Sequence, residues 1–191
     1  MLLLYGGSFN PPTLAHRAII CKLKSLYPEA MIAVVPVGDD YHKEHLVPFA
    51  HRYEMIKRMV KDLRGVIVSQ MENYHPFQGS IETLNRFSEA YHDVRLVIGS
   101  DQLMNIKSWI RYTELLKKYP LIVINRHQND DQALLERELR DLDYQITTIA
   151  FDFPFSASDF RQNRHKSHDR IPKEVLAYIN THHLYEGDPH V

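Results

Sequence analysis

Residues 1–17 read MLLLYGGSFNPPTLAHR, and the fold follows from how this stretch changes character along its length. An apolar run, Leu2 to Tyr5, meets Gly6-Gly7, passes Asn10-Pro11-Pro12 and turns helix-periodic from Thr13, which reads as a strand, a tight turn and a helix start. Glycines at such a junction let the backbone approach a ligand, and the unpaired N–H groups of a first helical turn favour a phosphate. Pro11 and Pro12 fix φ and stiffen the entry, while His16 lies three residues after Thr13 and so on the same helix face. The turn is therefore expected to direct a hydroxyl and an imidazole at bound phosphates.

Outward from that turn, Leu14, Ala15, Ala18, Ile19, Leu23 and Leu26 keep helical spacing as far as Pro28, and residues 31–35 form a continuous apolar strand. Strand, helix and strand in that order predict a right-handed βαβ crossover in a parallel sheet, with ligands at the carboxyl ends of the strands. The alternation continues with a helix at 50–63, a strand at 66–68, a polar loop at 70–79 and a helix N-capped by Ser80. Strands at 94–98 and 121–124, a charged helix at 132–140, a last strand at 145–151 and an amphipathic helix at 171–185 complete it. No break in composition interrupts the pattern. The expectation is an α/β, Rossmann-like chain: a parallel open sheet with helices on both faces, in one domain over 1–191 whose C-terminal helical part is 156–185.

With 191 residues, 44% of them hydrophobic, the chain can bury a sizeable core. The balance of 23 Lys+Arg against 24 Asp+Glu argues against nucleic acid or membrane as a generic partner, so any phosphate site must be local. The single cysteine, Cys21, excludes an intramolecular disulfide, fits a reducing compartment and is expected to pack within the first helix. No run reaches the roughly 20 apolar residues of a membrane span, and Leu2 to Leu4 lack a basic leader, so a soluble cytoplasmic protein is expected. In the helix at 50–63, Met55 and Met59 read as core, and Arg52, Lys57, Arg58 and Lys61 as a solvated face.

Chemistry-bearing residues recur at strand ends. The long connection 36–48 carries His42, Lys43 and His45; His42-x-x-His45 lacks a second ligand pair, so no metal held by protein side chains is expected. Gly99-Ser100-Asp101 follows the fourth strand, where a carboxylate can accept from ribose hydroxyls, and Trp109 comes eight residues later. After the last strand, Ser156 and Ser158 open a helix with Arg161 about one turn on, a set that suits a polyphosphate.

The ordered set Gly6, Gly7, Phe9, Asn10, Pro11, Thr13 and His16 resembles the signature of the nucleotidylyltransferase superfamily: a glycine turn, Phe-Asp/Asn-Pro, then His/Thr-x-x-His. Thr13 stands where most bacterial members place His, and the Asn-Pro with Thr form resembles the nicotinamide mononucleotide adenylyltransferase branch of the nicotinate/nicotinamide mononucleotide adenylyltransferase family. Gly99-Ser100-Asp101…Trp109 resembles that family's Gly-x-Asp…Trp element, and residues 80–84 resemble its Tyr-Thr-x-Asp-Thr-Leu, matching at Thr83 and Leu84 and departing at Gly79, Ser80 and Glu82. Residues 155–161 resemble its Ile-Ser-Ser-Thr-x-Ile-Arg with Ala157 departing, and 171–185 its closing helix.

The resemblance implies adenylyl transfer from ATP to nicotinate mononucleotide in NAD biosynthesis, with nicotinamide mononucleotide as a second acceptor and Mg2+ entering with ATP. It implies an ATP site of Gly6, Gly7, Ser8, Phe9, Asn10, Thr13, His16, Gly99, Asp101, Ser156, Ser158 and Arg161. The mononucleotide would meet His42, Lys43, Ser80, Thr83, Trp109 and Arg126, and His16, Thr13, Lys43 and Arg161 would carry catalysis. ATP and a pyridine mononucleotide are the partners implied, without nucleic acid or membrane; a homo-oligomer stays open. The alternatives are a sister enzyme, a phosphopantetheine adenylyltransferase or CTP-dependent cytidylyltransferase, and a noncatalytic nucleotide-binding sensor.

Overall fold

Strand β1 (Leu2–Gly7) is buried on both faces, which is why it reads as an uninterrupted apolar run. Leu3 and Tyr5 pack with one hydrophobic cluster and Leu2 and Leu4 with the other, as the two-residue period of a strand requires. The computed structural model describes residues 1–41, 45–74, 76–125, 139, 143–151 and 168–185. Around β1 stand β2 (Met31–Pro36), β3 (Val66–Val68), β4 (Val94–Gly99), β5 (Leu121–Asn125) and β6 (Ile146–Ala150), every pair parallel, in the order β3-β2-β1-β4-β5-β6.

Helices α1 (Leu14–Leu26) and α2 (Phe49–Val60) cover one face, joined there by α7 (Lys173–Thr181). Their Ile19, Ile20, Leu23, Met55, Ile56, Met59, Val175 and Ile179 pack against Leu3, Ile32, Val34, Val97 and Ile122 of the sheet. On the other face, α4 (Ser80–Ser88), α5 (Ser100–Met104) and α6 (Tyr112–Lys118) bring Ile81, Leu84, Leu103, Leu115 and Leu116 against Leu4, Ala33, Leu96, Ile98 and Val123. Each of the buried Leu, Ile, Val and Met side chains among these stabilises the fold by roughly 1.5–3 kcal/mol through removal from water.

The chain leaves β1 toward the first face and β4 toward the second. Such a reversal between neighbouring parallel strands opens a crevice at their carboxyl ends. Here the β1–β4 ladder ends at Tyr5 and Val97, two residues short of the end of each strand, so Gly6-Gly7 and Ile98-Gly99 border the opening.

Several expectations are corrected. Arg52, assigned to a solvated face, is fully buried, and Cys21, expected to pack, is exposed, because its position in α1 lies off the stripe formed by Ala15, Ile19, Ile20 and Leu23. The loop at 70–79 contains a short helix, α3 (Met71–Tyr74). The N-cap of α4 is Gly79, at φ 89°, rather than Ser80, which is the first helical residue. The closing helix begins at Lys173 behind Pro172, and residues 182–185 form turns. The charged helix expected at 132–140 lies outside the described residues except for Leu139, which is buried in the second cluster. Among the described residues no helix is long and apolar enough to cross a membrane.

Candidate active site

Thr13 is the N-cap of α1 and is completely buried. Its backbone N–H donates to His16 Nδ1 at 2.9 Å, its Oγ1 lies 2.8 Å from the same nitrogen, and the His16 backbone N–H donates to Thr13 Oγ1 at 3.4 Å. This is a reciprocal capping box in which histidine takes the place that Glu or Gln usually fills. Because Nδ1 accepts from a backbone N–H, the neutral imidazole carries its proton on Nε2, and Nε2 is the donor. The ring is held sideways as well: its centroid lies 5.0 Å from that of Phe9, which packs edge-on against Tyr5 at 5.5 Å. A Cβ at Gly7 would press on the Phe9 ring at 3.2 Å, so the glycine makes room for the aromatic beneath the imidazole. The expectation that the Thr13 hydroxyl faces a phosphate is thereby corrected: it is buried against His16, and the imidazole is the half-buried group of the pair.

Asn10 and Phe9 are likewise interior, 2% and 1% exposed. Asn10 Nδ2 donates to the His45 carbonyl at 2.7 Å, and its Oδ1 accepts from the Val47 N–H at 3.2 Å and the Tyr185 hydroxyl at 2.9 Å. These two residues shape the turn, and Gly6, Gly7, Ser8 and His16 remain its accessible part.

Across the crevice, Asp101 is exposed in the first turn of α5, and its Oδ1 folds back so closely over Gly99 that a Cβ there would collide with it. On the same side of the sheet, Gly79 packs against Ile110, the residue after Trp109, where a Cβ would come within 2.8 Å of the Ile110 side chain. Ser80 and Thr83 of α4 are thus brought beside the Trp109 segment, and the half-buried indole packs partly on the second cluster. Thr83 is buried, and its hydroxyl donates to Glu72 Oε1 at 2.9 Å. Burial pushes the Glu72 carboxyl up to about 7, although the Thr83 hydrogen bond and the charge of Arg52 pull the other way. Glu72, Phe77, Gly79, Glu82, Thr83 and Arg86 line a small cleft at the start of α4. His42, Lys43, Arg126, Ser156, Ser158 and Arg161 lie outside the described residues.

The cytidylyltransferase-like family matches residues 4–163, from β1 to beyond β6. The chain belongs to that family. A relative from Acholeplasma laidlawii named "Probable nicotinate-nucleotide adenylyltransferase" is 36% identical over 189 residues, 97% of this chain and 98% of its own. One of the same name from Caldicellulosiruptor saccharolyticus is 32% identical over 156 residues, 79% and 78% of the two chains. Among solved structures, the nicotinic acid mononucleotide adenylyltransferase of Plasmodium falciparum complexed with NaAD superposes with a TM-score of 0.81 at 22% identity over 98% of both chains. The same enzyme complexed with APC gives 0.80 at 21%. That likeness shows the fold.

Two residues of the family turn's surroundings escaped the sequence reading. Arg52 sits three, four and seven residues before Met55, Ile56 and Met59, so helical spacing already placed it on the apolar stripe. Glu72 carried no comparable signal, because a glutamate in a polar stretch looks solvated until the fold sets Thr83 against it.

Proposed function

We propose that this chain transfers the adenylyl group of ATP to nicotinate mononucleotide, releasing pyrophosphate and forming the dinucleotide. The observation that carries the reading is the end-to-end match, 97% of one chain on 98% of the other, to a relative bearing that activity in its name. The mononucleotide phosphate oxygen attacks the α-phosphorus of ATP as the bond to the bridging oxygen of pyrophosphate breaks, so no covalent enzyme intermediate is needed. The protein's task is to align both reactants and to stabilise charge building on the phosphoryl oxygens.

In this proposal the triphosphate lies over Gly6, Gly7 and Ser8 at the amino end of α1, whose partial positive charge favours an anion. His16, its proton directed to Nε2 by the cap, donates to the α-phosphate. Lys43 and Arg161 add positive charge, and Ser156 and Ser158 add hydroxyl donors. Asp101 accepts from a ribose, and Trp109 with Ser80, Thr83, His42 and Arg126 holds the mononucleotide. A divalent cation, Mg2+, enters on the triphosphate.

The test is pyrophosphate release with ATP or CTP against nicotinate mononucleotide, nicotinamide mononucleotide and phosphopantetheine. The expected result is release with ATP and nicotinate mononucleotide, with the amide a poorer acceptor. No release with either pyridine mononucleotide would overturn the reading. ATP binding without turnover on any acceptor would leave a nucleotide sensor, and release with phosphopantetheine or CTP alone a sister transferase.

A further inference from the structure

Arg52 projects from the first turn of α2 and its side chain is completely buried, against two opposing tendencies. A helix amino end disfavours a cation, and burial strips a charge of its water. The guanidinium is held instead by four acceptors. Its Nε donates to the Val47 carbonyl at 2.8 Å, Nη1 to the Val37 carbonyl at 2.7 Å and the Ser8 carbonyl at 3.3 Å, and Nη2 to Asp39 Oδ1 at 3.2 Å. Asp39 Oδ1 also accepts the Phe49 N–H at 2.7 Å, so one carboxylate oxygen ties the arginine to the start of its own helix.

These acceptors come from separate segments of chain. Ser8 belongs to the turn between β1 and α1, Val37 and Asp39 to the stretch leaving β2, and Val47 to the approach to α2. Beyond the ends of β1 and β2 there is no ladder to take up the carbonyls, and one turned toward the crevice would repel phosphate oxygens. Captured from beneath by Arg52, the Ser8 carbonyl cannot do so. Because its peptide is trans and planar, the following N–H, that of Phe9, is turned to the opposite side.

We infer that Arg52 is a positioning residue of the nucleotide site, fixing the β1–α1 turn and the loop after β2 relative to each other. The inference rests on the proposed function, which places ATP on the first of these segments and assigns the mononucleotide in part to His42, in the chain that continues from the second. A guanidinium fork reaches all four acceptors at once; a lysine ammonium is a point charge and cannot. Misalignment between the two reactants slows the chemical step more than it weakens either one's binding.

The experiment compares Arg52→Lys and Asp39→Ala with the parent, measuring turnover per folded molecule, ATP affinity by equilibrium titration and amide hydrogen exchange over residues 6–12 and 36–41. Arg52→Lys is expected to lower turnover by on the order of 10²-fold with ATP affinity within about threefold. Asp39→Ala should lower it several-fold, and exchange should accelerate at least tenfold in both segments while the α7 amides stay protected. Parent-level turnover per folded molecule, with loss of melting temperature alone, would reduce Arg52 to a structural role and overturn the inference. Should Arg52→Lys fail to fold, Asp39→Ala decides on the same readouts. Should the parent release no pyrophosphate, the functional reading falls separately, and unchanged exchange in both segments would then overturn the positioning role.

Discussion

Thr13 acts on the turn through another side chain. Its buried hydroxyl and N–H both meet His16 Nδ1, so one residue starts the helix and sets which imidazole nitrogen carries the proton. Under the proposed function, His16→Ala removes a preorganised donor that strengthens as charge develops. Turnover should fall by on the order of 10²–10³ with ATP affinity nearly intact, measured by pre-steady-state kinetics beside equilibrium titration. Thr13→Ala leaves the backbone N–H on Nδ1 and should cost less turnover but about 1 kcal/mol of stability, the usual loss for an N-cap, with Thr13→Ser restoring most of both. A His16→Ala protein that turns over at the parent rate would assign the histidine to capping alone. The spacing of Thr13 and His16 was legible in the sequence; that the threonine faces the histidine was not, because both a capping box and a phosphate clamp place the pair on one helix face.

Between α3 and α4 the structure keeps a carboxyl that resists ionisation. Glu72 accepts from Thr83, and the backbone of its segment packs so closely on Gly38 that a Cβ there would overlap the Glu72 carbonyl oxygen. Since burial raises the folded carboxyl to about 7 from an ordinary 4.5, the unfolded chain releases this proton first as pH rises. Glu72 therefore destabilises the fold increasingly between about pH 4.5 and 7, by at most about 3 kcal/mol above that window. Glu72→Gln keeps an acceptor for Thr83 without a titrating group. Thermal melts should show the variant gaining stability over the parent at pH 8, the gain shrinking through pH 6 and nearly gone at pH 4. A gain equal at all three values would mean that packing, not ionisation, separates the two side chains. Helix boundaries here were only partly legible. Gly79 ends up as the cap because it alone among its neighbours tolerates φ 89° against Ile110, a contact 31 positions away that local pattern does not encode.

Strands β1, β2, β3 and β5 were readable as apolar runs, β4 and β6 as β-branched or apolar segments broken by Arg95 and by Thr147-Thr148, and their parallel pairing because helices intervene; periodicity reports which face of an element is buried. It does not report polar bonds between distant elements, and one of these joins the C-terminal helical segment to the first turn. After α7 packs on α2, the chain turns through His183 and Tyr185, both at positive φ, and the Tyr185 hydroxyl reaches Asn10 Oδ1, 175 residues earlier and beside Val47. The last turn of the C-terminal helical segment thereby braces the same Asn10-Val47 contact that joins the first turn of the protein to the approach to α2. Tyr185→Phe removes the hydroxyl donor to Asn10 Oδ1 while leaving the ring in place and the Val47 N–H on the oxygen. The loss of one buried hydrogen bond of this kind costs about 0.5–1.5 kcal/mol, which in a chain of this length lowers the melting temperature by a few degrees. Because Asn10 keeps its bonds to His45 and Val47, turnover per folded molecule should stay within about twofold of the parent. A melting temperature equal to the parent's would show that the hydroxyl contributes nothing net to closing the chain ends together. A large loss of turnover at unchanged stability would instead show that the C-terminal segment acts on the turn through Asn10.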